Sequence, residues 1–141
     1  MQQVLIERDF DQGVDRVFGY LSEHENLGVI FPTRVERVRD GQNGERNGVG
    51  SVRRLSFRGL MPFEETVTAM EPNRRIEYRI TKGTPLRGHR GELLFSEREG
   101  GGSHLRYEIV FGSRVPGVAA AVAASLRRSI AKGLKTVAAK A

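Results

Sequence analysis

The spacing of apolar residues divides the chain into three stretches. In the first, residues 3–10 (QVLIERDF) predict a strand, and Val14, Val17, Phe18 and Leu21 then recur at helical spacing. Asp11 stands where an N-cap for that helix belongs. Gly28 and Pro32 punctuate a second, shorter helical piece, HENLGVIFP. From Thr33 the pattern becomes strand-like. TRVERVRDG ends in the turn signal Asp40-Gly41, and the glycine-rich GQNGERNGVG (41–50) predicts a hairpin connection. SVRRLSFRG puts Arg53, Leu55 and Phe57 on one face, PFEETVTAM aligns Phe63, Glu65 and Val67, and RRIEYRITKG aligns Ile76, Tyr78 and Ile80. RGELLFSERE and SHLRYEIVFG follow, joined at Gly100, Gly101 and Gly102, and the latter aligns Leu105, Tyr107, Ile109 and Phe111. The result is about seven strands with short connections, the pattern of one antiparallel sheet.

Beyond Pro116-Gly117 the period lengthens again. Val118, Val122, Leu126, Ile130, Leu134 and Val137 form a single apolar stripe. A helix of about 23 residues is on the order of 34 Å long, enough to lie across a whole sheet. The fold class is therefore α+β: two short helices after strand one, then the sheet, then one long C-terminal helix.

The length, 141 residues, predicts one domain over 1–141 with a core able to fold alone. There is no Cys, which excludes disulfides, thiolate metal sites and cysteine nucleophiles and agrees with a reducing compartment. No apolar run approaches a membrane span, and MQQVLIERDF lacks both the basic flank and the apolar length of a signal peptide. These features set the expectation of a cytoplasmic protein. The net charge of +6 is concentrated at the end. Residues 114–141 carry Arg114, Arg127, Arg128, Lys132, Lys135 and Lys140 and no acid. That segment reads as a solvated basic helix face complementing the helix dipole, or as a weak contact with anionic membrane. Nucleic-acid binding is not expected, because the aromatic residues share faces with aliphatic ones, as in a buried wall, and not with Lys and Arg.

The order of elements resembles the START-like, or SRPBCC, superfamily, which includes polyketide cyclases/dehydrases, lipid-transfer domains and pollen-allergen-like plant proteins. FDQGVDRVFGYLSEHENLGVIFP is similar to the family's opening, GVGSVRRLSF to its strand after a glycine-rich loop, EETVTAMEPNRRIEYRI to its middle hairpin, and EGGGSHLRYEIVF to its penultimate turn. The resemblance implies a helix-grip fold, a curved sheet around the long helix with a cavity between them. It implies binding of a hydrophobic or amphipathic small molecule there, with cyclase/dehydrase or lipid-transfer activity. The alternative is a non-enzymatic interaction module, membrane-associated or homodimeric, whose interior is filled by its own side chains.

The residues expected to line the cavity are Leu27, Phe31, Arg53, Leu55, Phe57, Phe63, Glu65, Tyr78, Tyr107, Ile109, Leu126 and Ile130. Arg53 and Glu65 stand among apolar neighbours, where an unpaired charge is costly. They pair with each other, orient a ligand, or sit at the rim in water. Tyr78 and Tyr107 offer hydroxyls from an apolar wall or pack with the hydroxyl reaching solvent. His24, His89 and His104 show no metal-ligand spacing, no cofactor motif is present, and no Ser sits in a nucleophile elbow. His24 and His89 are expected at surface or capping positions and His104 on the exposed side of its strand. Catalytic residues are left unassigned. GQNGERNGVG is not a Walker loop, since no Lys-Ser/Thr follows it.

Overall fold

The computed structural model describes residues 1–31, 33–56, 62–83 and 86–141. The elements run β1 (Gln2–Phe10), α1 (Val14–Ser22), a 3-10 helix (His24–Val29), β2 (Arg34–Arg39), β3 (Val52–Ser56), β4 (Phe63–Glu71), β5 (Arg75–Lys82), β6 (Leu86–Glu97), β7 (Ser103–Ser113) and α2 (Val118–Lys140). A further 3-10 turn, Gln42–Gly44, lies in the β2–β3 connection.

All seven strands form one antiparallel sheet in the order β1-β7-β6-β5-β4-β3-β2. Consecutive strands are neighbours except that β1 closes onto β7, Gln2 opposite Phe111 and Phe10 opposite Ser103. Register shifts interrupt β2, β4 and β6, at Arg37/Arg39, Glu64/Glu65, Val67/Ala69 and Arg87/Arg90. Such bulges bend a strand and raise its twist, which lets one sheet curve around a core. The β6–β7 turn uses Gly100 and Gly101 at φ +87° and +95°, a conformation open to glycine at little cost.

The concave face carries the core. Leu105, Tyr107, Ile109 and Phe111 of β7 are buried, as are Val4 and Phe10 of β1, Leu93 and Phe95 of β6, and Ile76 and Tyr78 of β5. The convex face is a ladder of charges. Arg75 reaches Glu92 and Glu77 at 2.8 Å each, and Arg90 reaches Glu108 at 3.0 Å.

α2 has its principal contacts with β1, the 3-10 helix, β7 and α1. It buries Ala123, Ile130, Gly133, Leu134 and Val137, while Val122 and Leu126 are half-buried. The expected stripe is therefore most deeply packed in its C-terminal half. Two backbone-level contacts fix it there. A Cβ on Gly133 would stand 2.2 Å from the Val29 carbonyl oxygen, and Ser129 Oγ donates to the Ile30 carbonyl at 2.7 Å. Arg114, Arg127, Arg128, Lys132, Lys135 and Lys140 are all exposed. Among the described residues, no helix is long and apolar enough to cross a membrane.

Asp11 does not cap α1. The helix starts at Val14 with Gly13 at the N-cap position. Tertiary bonds hold the preceding residues: Ser103 Oγ donates to the Gln12 carbonyl at 2.8 Å, and Gln12 Nε2 donates to the Ala138 carbonyl.

Candidate functional site

Arg53 and Glu65 are direct partners across β3 and β4, so period-two alternation sends both side chains to the concave face. Each side chain is 4% exposed, and Arg53 Nε donates to Glu65 Oε1 at 2.8 Å. The guanidinium carbon lies 4.5 Å from the centre of the Tyr78 ring, a cation–π contact that covers the cation's flat face. The Tyr78 and Tyr107 hydroxyls meet at 2.5 Å, with the two rings edge to face. Burial, first of all, pushes both phenols well above their usual range, so they stay protonated. Only one of the two hydroxyls can donate within the pair, which leaves the other's proton for a further acceptor.

His89 joins this cluster. Its ring centre is 5.6 Å from that of Tyr78, and Nε2 is 3.9 Å from Glu65 Oε2. The Ile80 backbone N–H donates to His89 Nδ1 at 3.0 Å, so Nδ1 is an acceptor and the proton resides on Nε2, toward Glu65. Burial lowers the His89 pKa; Glu65 opposes that shift, and Arg53 and Arg79 add to it.

His24 lies against Ser51, the residue immediately before β3. It has no exposed surface, and Nε2 is 3.0 Å from Ser51 Oγ. Burial drives its pKa from 6.5 down to about 3, helped by the positive charges of Arg53 and Arg37. The residues on either side of it form a charged cover. Glu23 and Glu25 both bind Arg37, at 3.0 and 2.9 Å, and Arg46 from the 41–50 loop binds Glu23 at 2.9 Å. Asn47 adds a bond to Arg37 at 2.6 Å and one to Glu23 at 3.3 Å.

Of the residues expected to line the interior, Leu27, Phe31, Arg53, Leu55, Glu65, Tyr78, Tyr107, Ile109 and Ile130 are buried, and Phe63 and Leu126 are half-buried. Phe57 lies outside the described residues. Two expectations are overturned. His24 and His89 are interior, not surface or capping, residues. The signal for His89 was present: counting back by twos from Phe95 through Leu93 and Gly91 reaches it on the concave face. The burial of His24 depends on Arg37, Arg46 and Asn47, which are distant in sequence, so local pattern could not show it. His104 does face solvent in part, held between Asp9 at 2.6 Å and Glu7 at 3.0 Å. Its hydrogen bonds to those carboxylates, which accept, raise its pKa. Among the described residues, no group of three or more His, Cys, Asp or Glu could hold a metal ion.

The chain is similar in structure to the ZhuI aromatase/cyclase of a Streptomyces species, at 20% identity and a TM-score of 0.76 over 99% of this chain and 92% of that one. A solution structure from Thermobifida fusca gives 14% identity and a TM-score of 0.75, over 98% and 91% of the two chains. The Aha1 dimer of Colwellia psychrerythraea gives 14% and 0.69, over 97% and 93%. A comparison of the sequence with curated proteins finds no match. These likenesses establish the helix-grip fold. The family model for polyketide cyclase/dehydrase and lipid transport matches residues 1–141, and the chain belongs to that family.

Proposed function

We propose that this chain binds an amphipathic small molecule in the interior between the sheet and α2, with Arg53 as its polar anchor. The observation that supports this most is the placement of a buried Arg–Glu pair beside two buried tyrosines, on an interior wall that is mostly apolar. A buried ion pair gives little or no net stability over apolar residues of the same size. Its presence is better explained by recognition. Glu65 holds the guanidinium at Nε and orients it, and the Tyr78 ring covers one face. Leu27, Phe31, Leu55, Ile109 and Ile130 supply the apolar wall, joined by the half-buried Phe63 and Leu126. A carbonyl, enolate or carboxylate oxygen is the group this anchor suits. The family and the aromatase/cyclase neighbour agree with such a ligand. If the bound molecule reacts, the Arg53 cation would stabilise a developing oxyanion and a tyrosine hydroxyl would donate to it. The exposed cations of α2 suit brief contact with an anionic membrane during ligand exchange.

Native mass spectrometry of protein purified from its own host tests this reading directly. A small molecule should accompany the protein and should be lost or exchanged in Arg53→Met. Protein that carries no ligand and takes up no apolar fluorescent probe would mean that the interior is filled by its own side chains.

A further inference from the structure

We propose that His24 is the hydrogen-bond acceptor for an uncharged hydroxyl of the molecule held in the interior; this rests on the interior-binding reading above. Ser51 Oγ has one proton, and it is donated to the Gly48 carbonyl at 2.7 Å. The serine oxygen must therefore accept from His24 Nε2–H, at 3.0 Å. That fixes the neutral tautomer with a bare lone pair on Nδ1. Nδ1 is buried and has no hydrogen-bond partner among the described residues. Buried polar atoms in folded proteins are almost always partnered, so an orphan acceptor points to a group supplied from outside the chain.

Its position says which molecule. Ser51 and Arg53 lie two residues apart and are both buried, which puts the imidazole at one end of the face that presents the Arg53 anchor. Among the charges acting on the ring Arg53 has the largest influence, followed by Arg37, with Glu25 opposing and Arg46 adding to them. The charges of Arg53 and Arg37 that disfavour a protonated ring disfavour a cationic donor beside it, such as an ammonium group, in the same way. The ring itself remains neutral down to about pH 3, so it accepts a hydrogen bond without taking the proton. The ligand class is an apolar body that carries a hydroxyl, such as an alcohol, enol or phenol, in addition to the oxygen bound by Arg53.

The test uses two probes of nearly the same shape, 2-naphthol and 2-methoxynaphthalene, titrated by fluorescence. Wild type should bind the naphthol about tenfold more tightly, the worth of one buried hydrogen bond. His24→Phe should abolish that preference by weakening the naphthol alone. On 15N-labelled wild type, the His24 Nδ1 resonance should move on addition of 2-naphthol and stay in place with the ether. This measurement decides the matter if the variant does not fold. Equal affinities in wild type, a preference that survives His24→Phe, or an unmoved Nδ1 signal with naphthol bound would overturn the inference and leave interior binding standing. Failure of both probes to bind would overturn interior binding, and this inference with it.

Discussion

Tyr78 on β5 and Gly91 on β6 are direct cross-strand partners, and the tyrosine ring occupies the space where a side chain at 91 would begin. A Cβ there would stand 2.1 Å from Tyr78 Cζ and 2.6 Å from its hydroxyl. Glycine at 91 is thus what lets the ring lie down between Arg53 and Tyr107. Gly91→Ala should displace the ring, break the Tyr78–Tyr107 hydrogen bond and cost roughly 2–4 kcal/mol. Denaturant titration would show the loss, and near-ultraviolet circular dichroism the altered tyrosine environment. Tyr78→Phe, which keeps the ring, should cost only about 1 kcal/mol.

The Arg53–Glu65 pair should behave as a unit. Arg53→Met or Glu65→Leu alone leaves a buried charge without its partner and should cost about 3–5 kcal/mol. The double variant should recover a large part of that loss, because an apolar pair of similar volume replaces the ion pair. A double-mutant cycle by urea denaturation measures this coupling. Strict additivity would show that the two side chains act independently.

Two glycine-to-alanine changes in helices should move stability in opposite directions. Gly133→Ala places a methyl 2.2 Å from the Val29 carbonyl oxygen and 2.5 Å from Ile30 Cα. Both are backbone atoms, so α2 must lift from the 3-10 helix, and the loss should outweigh the gain in helix propensity of about 1 kcal/mol. Gly19→Ala in α1 meets nothing within 4 Å. It should gain about 0.5–1 kcal/mol. Thermal unfolding of the two variants side by side is the measurement.

The pH dependence of stability should carry the signature of His24. Its pKa falls from 6.5 to about 3 on folding, so the unfolded chain binds the extra proton. The contribution is fully present above pH 6.5 and is lost as pH falls toward 3, at up to about 1.4 kcal/mol per pH unit. His89, also lowered, works in the same direction. His104 works the other way: its raised pKa adds stability below pH 6.5 that disappears as pH rises through its folded value. Denaturation between pH 4 and 8 should therefore show a slope that His24→Phe reduces and His104→Ala steepens.

Much of this was legible in the sequence where a residue's position depends on its immediate neighbours. The alternation LRYEIVF put the four concave residues of β7 on one face, and the same parity put Arg53 and Glu65 on apolar faces, with their mutual pairing one of three readings until the strand register decided it. What escaped the sequence depends on distant partners. Asp11 has the chemistry of a cap, yet bonds from Gln12 to Ala138 and from Ser103 to Gln12 delay the helix by two residues. His24 has the look of a surface histidine, and only the Glu23–Arg37–Arg46 cover, built from three separate segments, excludes water from it. His89 follows from parity, but it lies outside the strand expected from Arg90, which in the structure begins four residues earlier, at Leu86.

The pairing of β1 with β7 also sets the order of assembly. Gln2 finds Phe111, and Arg127 Nη2 on α2 donates to the Gln3 carbonyl at 2.6 Å, so the first strand's partners are made last. During synthesis, β1 must wait with its backbone unpaired until β7 has emerged. Contacts of such long sequence separation slow folding, and a waiting strand is open to pairing with other chains. The alternating charges Glu7, Arg8 and Asp9 near its end give that strand some protection while it waits.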